Sequence, residues 1–109
     1  MSNVGIDIVE IDRLNKINDA FIRHVLSKDE IEIYNSYKNQ RQKEYLAGRF
    51  AAKEAIIKCL SDIEIPNMRD ICILNSKNGM PYVKYKEYNI SISISHEKHY
   101  AVAIAILNS

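Results

Sequence analysis

The sequence predicts an α+β fold in which a mainly antiparallel sheet packs on one long helix. Three observations carry that expectation: strand-like alternation at Val4, Ile6 and Ile8, an unbroken helical pattern from about Gln42 to Leu60, and two hairpin patterns that follow it. The 109 residues, 47% hydrophobic and 27% charged, fit one domain, and no repeat, linker or boundary divides residues 1–109.

Val4, Ile6 and Ile8 alternate with Gly5, Asp7 and Val9, the period of a strand with one buried face. Asp12 is expected to cap a short helix carrying Leu14 and Ile17. Ser27, with Glu30 three residues on, has capping-box spacing ahead of Ile31 and Tyr34. In the long helix Leu46, Phe50, Ile57 and Leu60 recur at helical turns, while Ala47, Ala51, Ala52 and Ala55 leave room for a close neighbour. Pro66 lies in the loop that leaves this helix. Ile71 and Ile73 then read as a strand that turns at Asn78-Gly79 and pairs with Met80 to Tyr85. Ile90, Ile92 and Ile94 alternate with serines, and after a polar turn from His96 to His99 the alternation resumes as Val102, Ile104 and Ile106 against alanines.

Fifteen Lys and Arg against fourteen Asp and Glu leave a net charge of +1, which lacks the basic excess of a nucleic-acid binder. Any anionic partner must meet a local patch. Cys59 and Cys72 sit in apolar surroundings without metal-ligand spacing, which favours reduced thiols in a cytoplasm. Met1-Ser2-Asn3 has no basic residue, and Asp7 and Glu10 interrupt the apolar stretch after it, so no signal peptide is expected. The longest apolar run, Tyr100 to Leu107, is too short to cross a bilayer, which predicts a soluble protein without a membrane partner. A monomer of this size buries a modest share of its surface, so an enclosed site is expected where subunits meet.

Aspartate is depleted from strand interiors, which makes Asp7 the first anomaly, although on a one-sided sheet such a residue commonly just faces water. Glu54 and Lys58 stand four apart in the order of an ordinary surface ion pair. Around them, Gly48 to Ala55 places charge among small residues, so a polyanion or another chain could approach the backbone. His96 reads on its own as a polar turn residue, and Ser91, Ser93 and Ser95 as the solvent face of a strand.

Three blocks taken together resemble one family, the 4′-phosphopantetheinyl transferases, and within it the short, single-copy holo-[acyl-carrier-protein] synthase type. They are Gly5-Ile-Asp-Ile-Val-Glu-Ile-Asp-Arg13, Glu44-Tyr-Leu-Ala-Gly-Arg-Phe-Ala-Ala-Lys-Glu-Ala55 and Ile92-Ser-Ile-Ser-His-Glu-Lys-His-Tyr-Ala-Val-Ala103, in the family's order and over nearly the full length. The resemblance implies transfer of 4′-phosphopantetheine from coenzyme A to a serine of apo acyl carrier protein, in fatty acid biosynthesis.

It further implies that Asp7 and Glu54 hold Mg2+ against the coenzyme A pyrophosphate, a role suited to hard oxygen ligands with an incomplete protein shell. Glu54, or a water held at the metal, would take the proton of the carrier serine, and Lys58 would neutralise phosphate charge as a point cation. By the same resemblance Arg49 and His96 reach the nucleotide phosphate, while Gly79 and Pro81 border the adenosine. The carrier is expected to dock on Arg13, Lys16, Ile17 and Phe21, and the assembly to be a homotrimer with sites between subunits. Two departures stand out: Cys59-Leu-Ser-Asp-Ile replaces the family's glycine-rich stretch, and Met80 replaces a common lysine. The competing reading is a non-catalytic α+β ligand-binding or regulatory module, with Asp7, Glu54 and Lys58 as plain surface features.

Overall fold

A computed structural model describes residues 3–109. Met1 and Ser2, on which part of the signal-peptide expectation rests, lie outside the described residues. Strand β1 (Asn3–Glu10) leads through a 3₁₀ turn (Ile11–Leu14) into α1 (Asp19–Val25), α2 (Lys28–Ser36) and the 22-residue α3 (Asn39–Leu60). A second 3₁₀ turn (Met68–Asp70) precedes the hairpin β2 (Cys72–Asn75) and β3 (Pro81–Lys84), and the chain ends with β4 (Asn89–His96) and β5 (Tyr100–Asn108). All pairings are antiparallel, in a three-stranded sheet of order β1-β5-β4 and a separate β2-β3 ribbon. The predicted α+β class is therefore what forms, with the sheet in two parts.

The Ser27 capping box is present: Ser27 Oγ accepts from the Glu30 amide at 3.4 Å, and Glu30 Oε1 accepts from the Ser27 amide at 2.8 Å. Asp12, by contrast, caps no helix. It lies inside the 3₁₀ turn, which the Ile11 amide ties to the His99 carbonyl at 2.8 Å, and the first α-helix starts later, where Asn18 Oδ1 accepts from the Phe21 amide. The long helix begins at Asn39, ahead of the expected Gln42.

Helix α3 crosses one face of the three-stranded sheet, and small residues set how close it comes. A Cβ built on Gly5 would stand 2.0 Å from the Ala55 carbonyl oxygen, and one on Gly48 would stand 3.2 Å from Ile94 Cγ2. The helix thus runs from β4, at Gly48, to β1, at Ala55. Ala101, Ala103 and Ala105 of β5 lie between these contacts and are fully enclosed.

This packing reverses the expected faces of β1 and β5. Val4, Ile6 and Ile8 are 64%, 59% and 62% exposed, whereas Gly5 and Val9 turn inward. Opposite them in register stand Ile106, Ile104 and Val102, so an apolar stripe crosses the outer face and is bordered by Ser91, Ser93 and Ser95 of β4. Alternation fixes which residues share a face, but the helix needs the face whose side chains are small enough for close approach.

Lys53 and Glu30 form a fully buried ion pair at 2.5 Å. The ammonium also donates to the Val25 and Met68 carbonyls at 2.7 and 3.0 Å, and Glu30 Oε2 accepts from the Ile73 amide at 2.9 Å. Burial lowers the Lys53 pKa, opposed by the Glu30 charge. One knot therefore ties α1, α2, the second 3₁₀ turn and β2 to α3, with every ammonium hydrogen satisfied.

Candidate active site

The close contact at Gly5 determines where the anomalous aspartate points. On β1, Asp7 follows Gly5 by two residues and so faces the helix, with its side chain 20% exposed. Lys58, in the last turn of α3, donates to the Ile6 carbonyl at 2.7 Å and approaches Asp7 Oδ1 at 3.4 Å. Glu54 lies one turn earlier on the same helical face, about 6 Å along the axis. Among the described residues no ion pair joins Glu54 to Lys58, because the lysine has turned to β1 instead. The common expectation that Asp7 simply faces water is not met.

A separate cleft of about 880 Å3 opens beside the N-terminal half of α3. Arg49, Gly79 and His96 line it, together with Tyr37, Arg41, Glu44, Tyr45 and Asn75. The Arg49 guanidinium lies over the Tyr45 ring at 4.6 Å and donates through Nη2 to Asn75 Oδ1 at 2.6 Å. Among the described residues Arg49 Nε and the Tyr45 hydroxyl are buried without a hydrogen-bond partner. Burial pushes the tyrosine pKa up to about 12, against the pull of the Arg49 charge, so its hydroxyl remains a donor. His96 Nδ1 stands 3.8 Å from Glu44 Oε2 at the cleft mouth. The Arg49 guanidinium over the Tyr45 ring gives the cleft wall a cation and an aromatic face, which suits an anionic ligand.

The expected site residues therefore fall into two groups. Asp7, Glu54 and Lys58 gather at the β1 end of the helix, while Arg49, Gly79 and His96 gather in the cleft beside β4, with Pro81 opening β3 nearby. Asp7 lies opposite Ala103, which lies opposite the cleft residue Ile94, so the two groups are separated by two strand spacings, about 10 Å. Glu54 also points about 140° around the helix from Arg49. Arg13 and Lys16 are exposed, whereas Ile17 and Phe21 are half buried against the core, with the Phe21 ring 5.6 Å from that of Phe50. Sequence reasoning missed Asn75 and Tyr45, and no spacing pattern marks either one.

Residues 3–105 match the family described as the 4′-phosphopantetheinyl transferase superfamily. The chain belongs to this superfamily. It is 49% identical to the holo-[acyl-carrier-protein] synthase of Mycoplasma mycoides subsp. mycoides, over 100% of this chain and 96% of the relative. The synthase of the same name from Mycoplasma capricolum is 50% identical, with coverage of 97% and 94%. A crystal structure of a holo-(acyl-carrier-protein) synthase from Bacillus anthracis, in complex with CoA (3′,5′-ADP), superposes with a TM-score of 0.88 at 35% identity, covering 98% of this chain and 96% of the other.

Proposed function

We propose that the chain transfers 4′-phosphopantetheine from coenzyme A to a serine of apo acyl carrier protein, giving holo carrier and adenosine 3′,5′-bisphosphate, in fatty acid biosynthesis. The observation that carries this reading is Lys58 held between the Ile6 carbonyl and Asp7, with Glu54 one turn back. It is a cation paired with one carboxylate, with a second one helical turn back, on the same sheet face as the cleft but two strands away from it.

Asp7 and Glu54 are the residues that would hold Mg2+. The donor chemistry fits: both are hard oxygen donors, Asp7 is partly open to solvent, and among the described residues Glu54 makes no hydrogen bond or ion pair. When bound, Mg2+ offsets negative charge on the pyrophosphate. Lys58 adds a point charge to the same phosphates and stabilises the charge that develops as the bond breaks. Glu54 would accept the serine proton, directly or through a water. The serine oxygen bonds to the β-phosphorus, and the bridging oxygen departs with the adenosine bisphosphate. Arg49 and His96 anchor the nucleotide phosphate, and the Gly79 turn and Pro81 border the adenosine.

The working unit is a homotrimer with sites between subunits. Two features support it: the uncovered apolar stripe of Val4, Ile6, Ile8, Ile104 and Ile106, and the separation of the cleft from the carboxylates. A cyclic assembly brings the β1 edge of one chain toward the β4 edge of the next, completing a site that one chain leaves divided. Residues 1–109 act as a single transferase domain. Arg13 and Lys16 receive the acidic carrier, with the open sides of Ile17 and Phe21 as apolar contacts. No helix among the described residues is long and apolar enough to cross a membrane. Free Cys59 and Cys72 accord with a cytoplasmic location.

Release of adenosine 3′,5′-bisphosphate tests the reading. It should appear only when coenzyme A, Mg2+ and apo carrier are all present, and not with a carrier whose serine is replaced by alanine. Release without carrier would point to a hydrolase instead.

A further inference from the structure

Asn75 is the last residue of β2 and stands opposite Pro81 in the ribbon register. Its side chain makes two hydrogen bonds in the cleft wall. Oδ1 accepts from Arg49 Nη2 at 2.6 Å, and Nδ2 donates to the Gly79 carbonyl at 2.8 Å. Gly79 has φ +89°, in the left-handed region, and its amide donates to the Ser76 carbonyl at 2.9 Å. The Asn78 side chain accepts from the Met80 amide at 3.2 Å and pairs with Ser76 Oγ. The turn is thus wired internally and tied to α3 through one amide group.

We propose that Asn75 is a positioning residue for coenzyme A, locking the Arg49 guanidinium and the Gly79 turn into one receptor. Both ends of this amide matter. Its oxygen orients the guanidinium over Tyr45, and its NH2 fixes the distance between the turn and the arginine. Because the acceptor is neutral, Arg49 keeps its full charge for an anionic ligand. A carboxylate at position 75 would form an ion pair with Arg49 that competes with the ligand, and it could not donate to the Gly79 carbonyl. The amide also suits this chain, in which Met80 is exposed and offers no cation to the cleft.

This inference rests on the reading of the cleft as the coenzyme A site, and the test separates the two. Coenzyme A affinity of the intact protein would be measured by calorimetry, alongside thermal unfolding and the Michaelis constant for apo carrier. Variants would be Asn75→Ala, Asn75→Asp and, as reference, Arg49→Ala. Asn75→Ala should weaken coenzyme A binding several-fold and Asn75→Asp about tenfold or more, on the scale of a charged hydrogen bond. The carrier constant should stay within about twofold, and Asn75→Asp should unfold no earlier than Asn75→Ala, because its ion pair with Arg49 supports the fold. A merely structural role predicts the reverse order for the two variants: affinity tracking melting temperature. Wild-type affinity in both Asn75 variants, with Arg49→Ala impaired, overturns the role of Asn75 alone. Wild-type affinity in Arg49→Ala overturns the cleft assignment itself.

Discussion

A Cβ on Gly5 would lie 2.0 Å from the Ala55 carbonyl oxygen, closer than any relaxed side chain can sit against backbone. This contact sets the height of α3 over β1 and brings Lys58 within reach of Asp7. Gly5→Ala should push the helix outward, destabilising the fold by about 1–3 kcal/mol and costing more activity than stability. Gly48→Ala meets only a side-chain methyl, Ile94 Cγ2 at 3.2 Å, rather than backbone at 2.0 Å, and should be the milder change. Urea unfolding with parallel rate measurements checks the order.

Removing one partner of the buried Lys53–Glu30 pair should cost about 3–5 kcal/mol, since the survivor is left charged with no water to solvate it. Lys53→Met with Glu30→Leu should recover part of that loss. A double variant less stable than either single variant would contradict the role given to this knot.

Acid stability should depend on Glu64. Its carboxylate accepts from Lys86 Nζ and from the Tyr85 and Tyr88 hydroxyls at 2.6–3.0 Å, and these bonds hold its pKa at about 2, below the ordinary 4.5. In that window the unfolded chain binds more protons, so stability rises with pH. The contribution is present above about 4.5 and is lost as pH falls toward 2. Glu64→Gln should therefore flatten the stability profile between those values, read by thermal unfolding across a pH series.

Lys86 beside it has φ 50°, so Lys86→Gly should be tolerated by the backbone while the contacts to Glu64 are lost.

The apolar outer stripe predicts assembly. Ile6→Lys or Ile104→Lys places a charge on the exposed face that the proposed homotrimer would cover, without touching the core side of either strand. Sedimentation should show smaller species and activity should fall with them. Full activity in a monomeric variant would remove the shared-site arrangement.

Much of the fold was legible because periodicity and turn chemistry are local: the long helix, the Asn78-Gly79 turn and the Ser27 capping box all follow from neighbouring residues. What was not legible depends on distant packing. Alternation grouped Val4, Ile6 and Ile8 correctly but not their direction, which the small residues facing α3 decide. Lys53 gave no sign that its partner lay on α2, because no spacing rule links residues 23 apart. Asp12 has cap chemistry, yet the 3₁₀ turn after β1 takes the place of the helix it would start. For the site, the Asp7 anomaly and the Glu54–Lys58 spacing were visible, while their meaning came from the family resemblance. Asn75 became visible only once the ribbon was folded against α3.

The transfer itself is tested most directly by the mass of the carrier. Apo acyl carrier protein would be incubated with coenzyme A, Mg2+ and the protein, then weighed intact, beside Asp7→Asn, Glu54→Gln and Lys58→Ala. One phosphopantetheine should be added by the native chain, none by either carboxylate variant despite a native fold by circular dichroism, and Lys58→Ala should add it slowly. An unmodified carrier with the native chain, or full modification by Glu54→Gln at limiting Mg2+, would contradict the assigned chemistry.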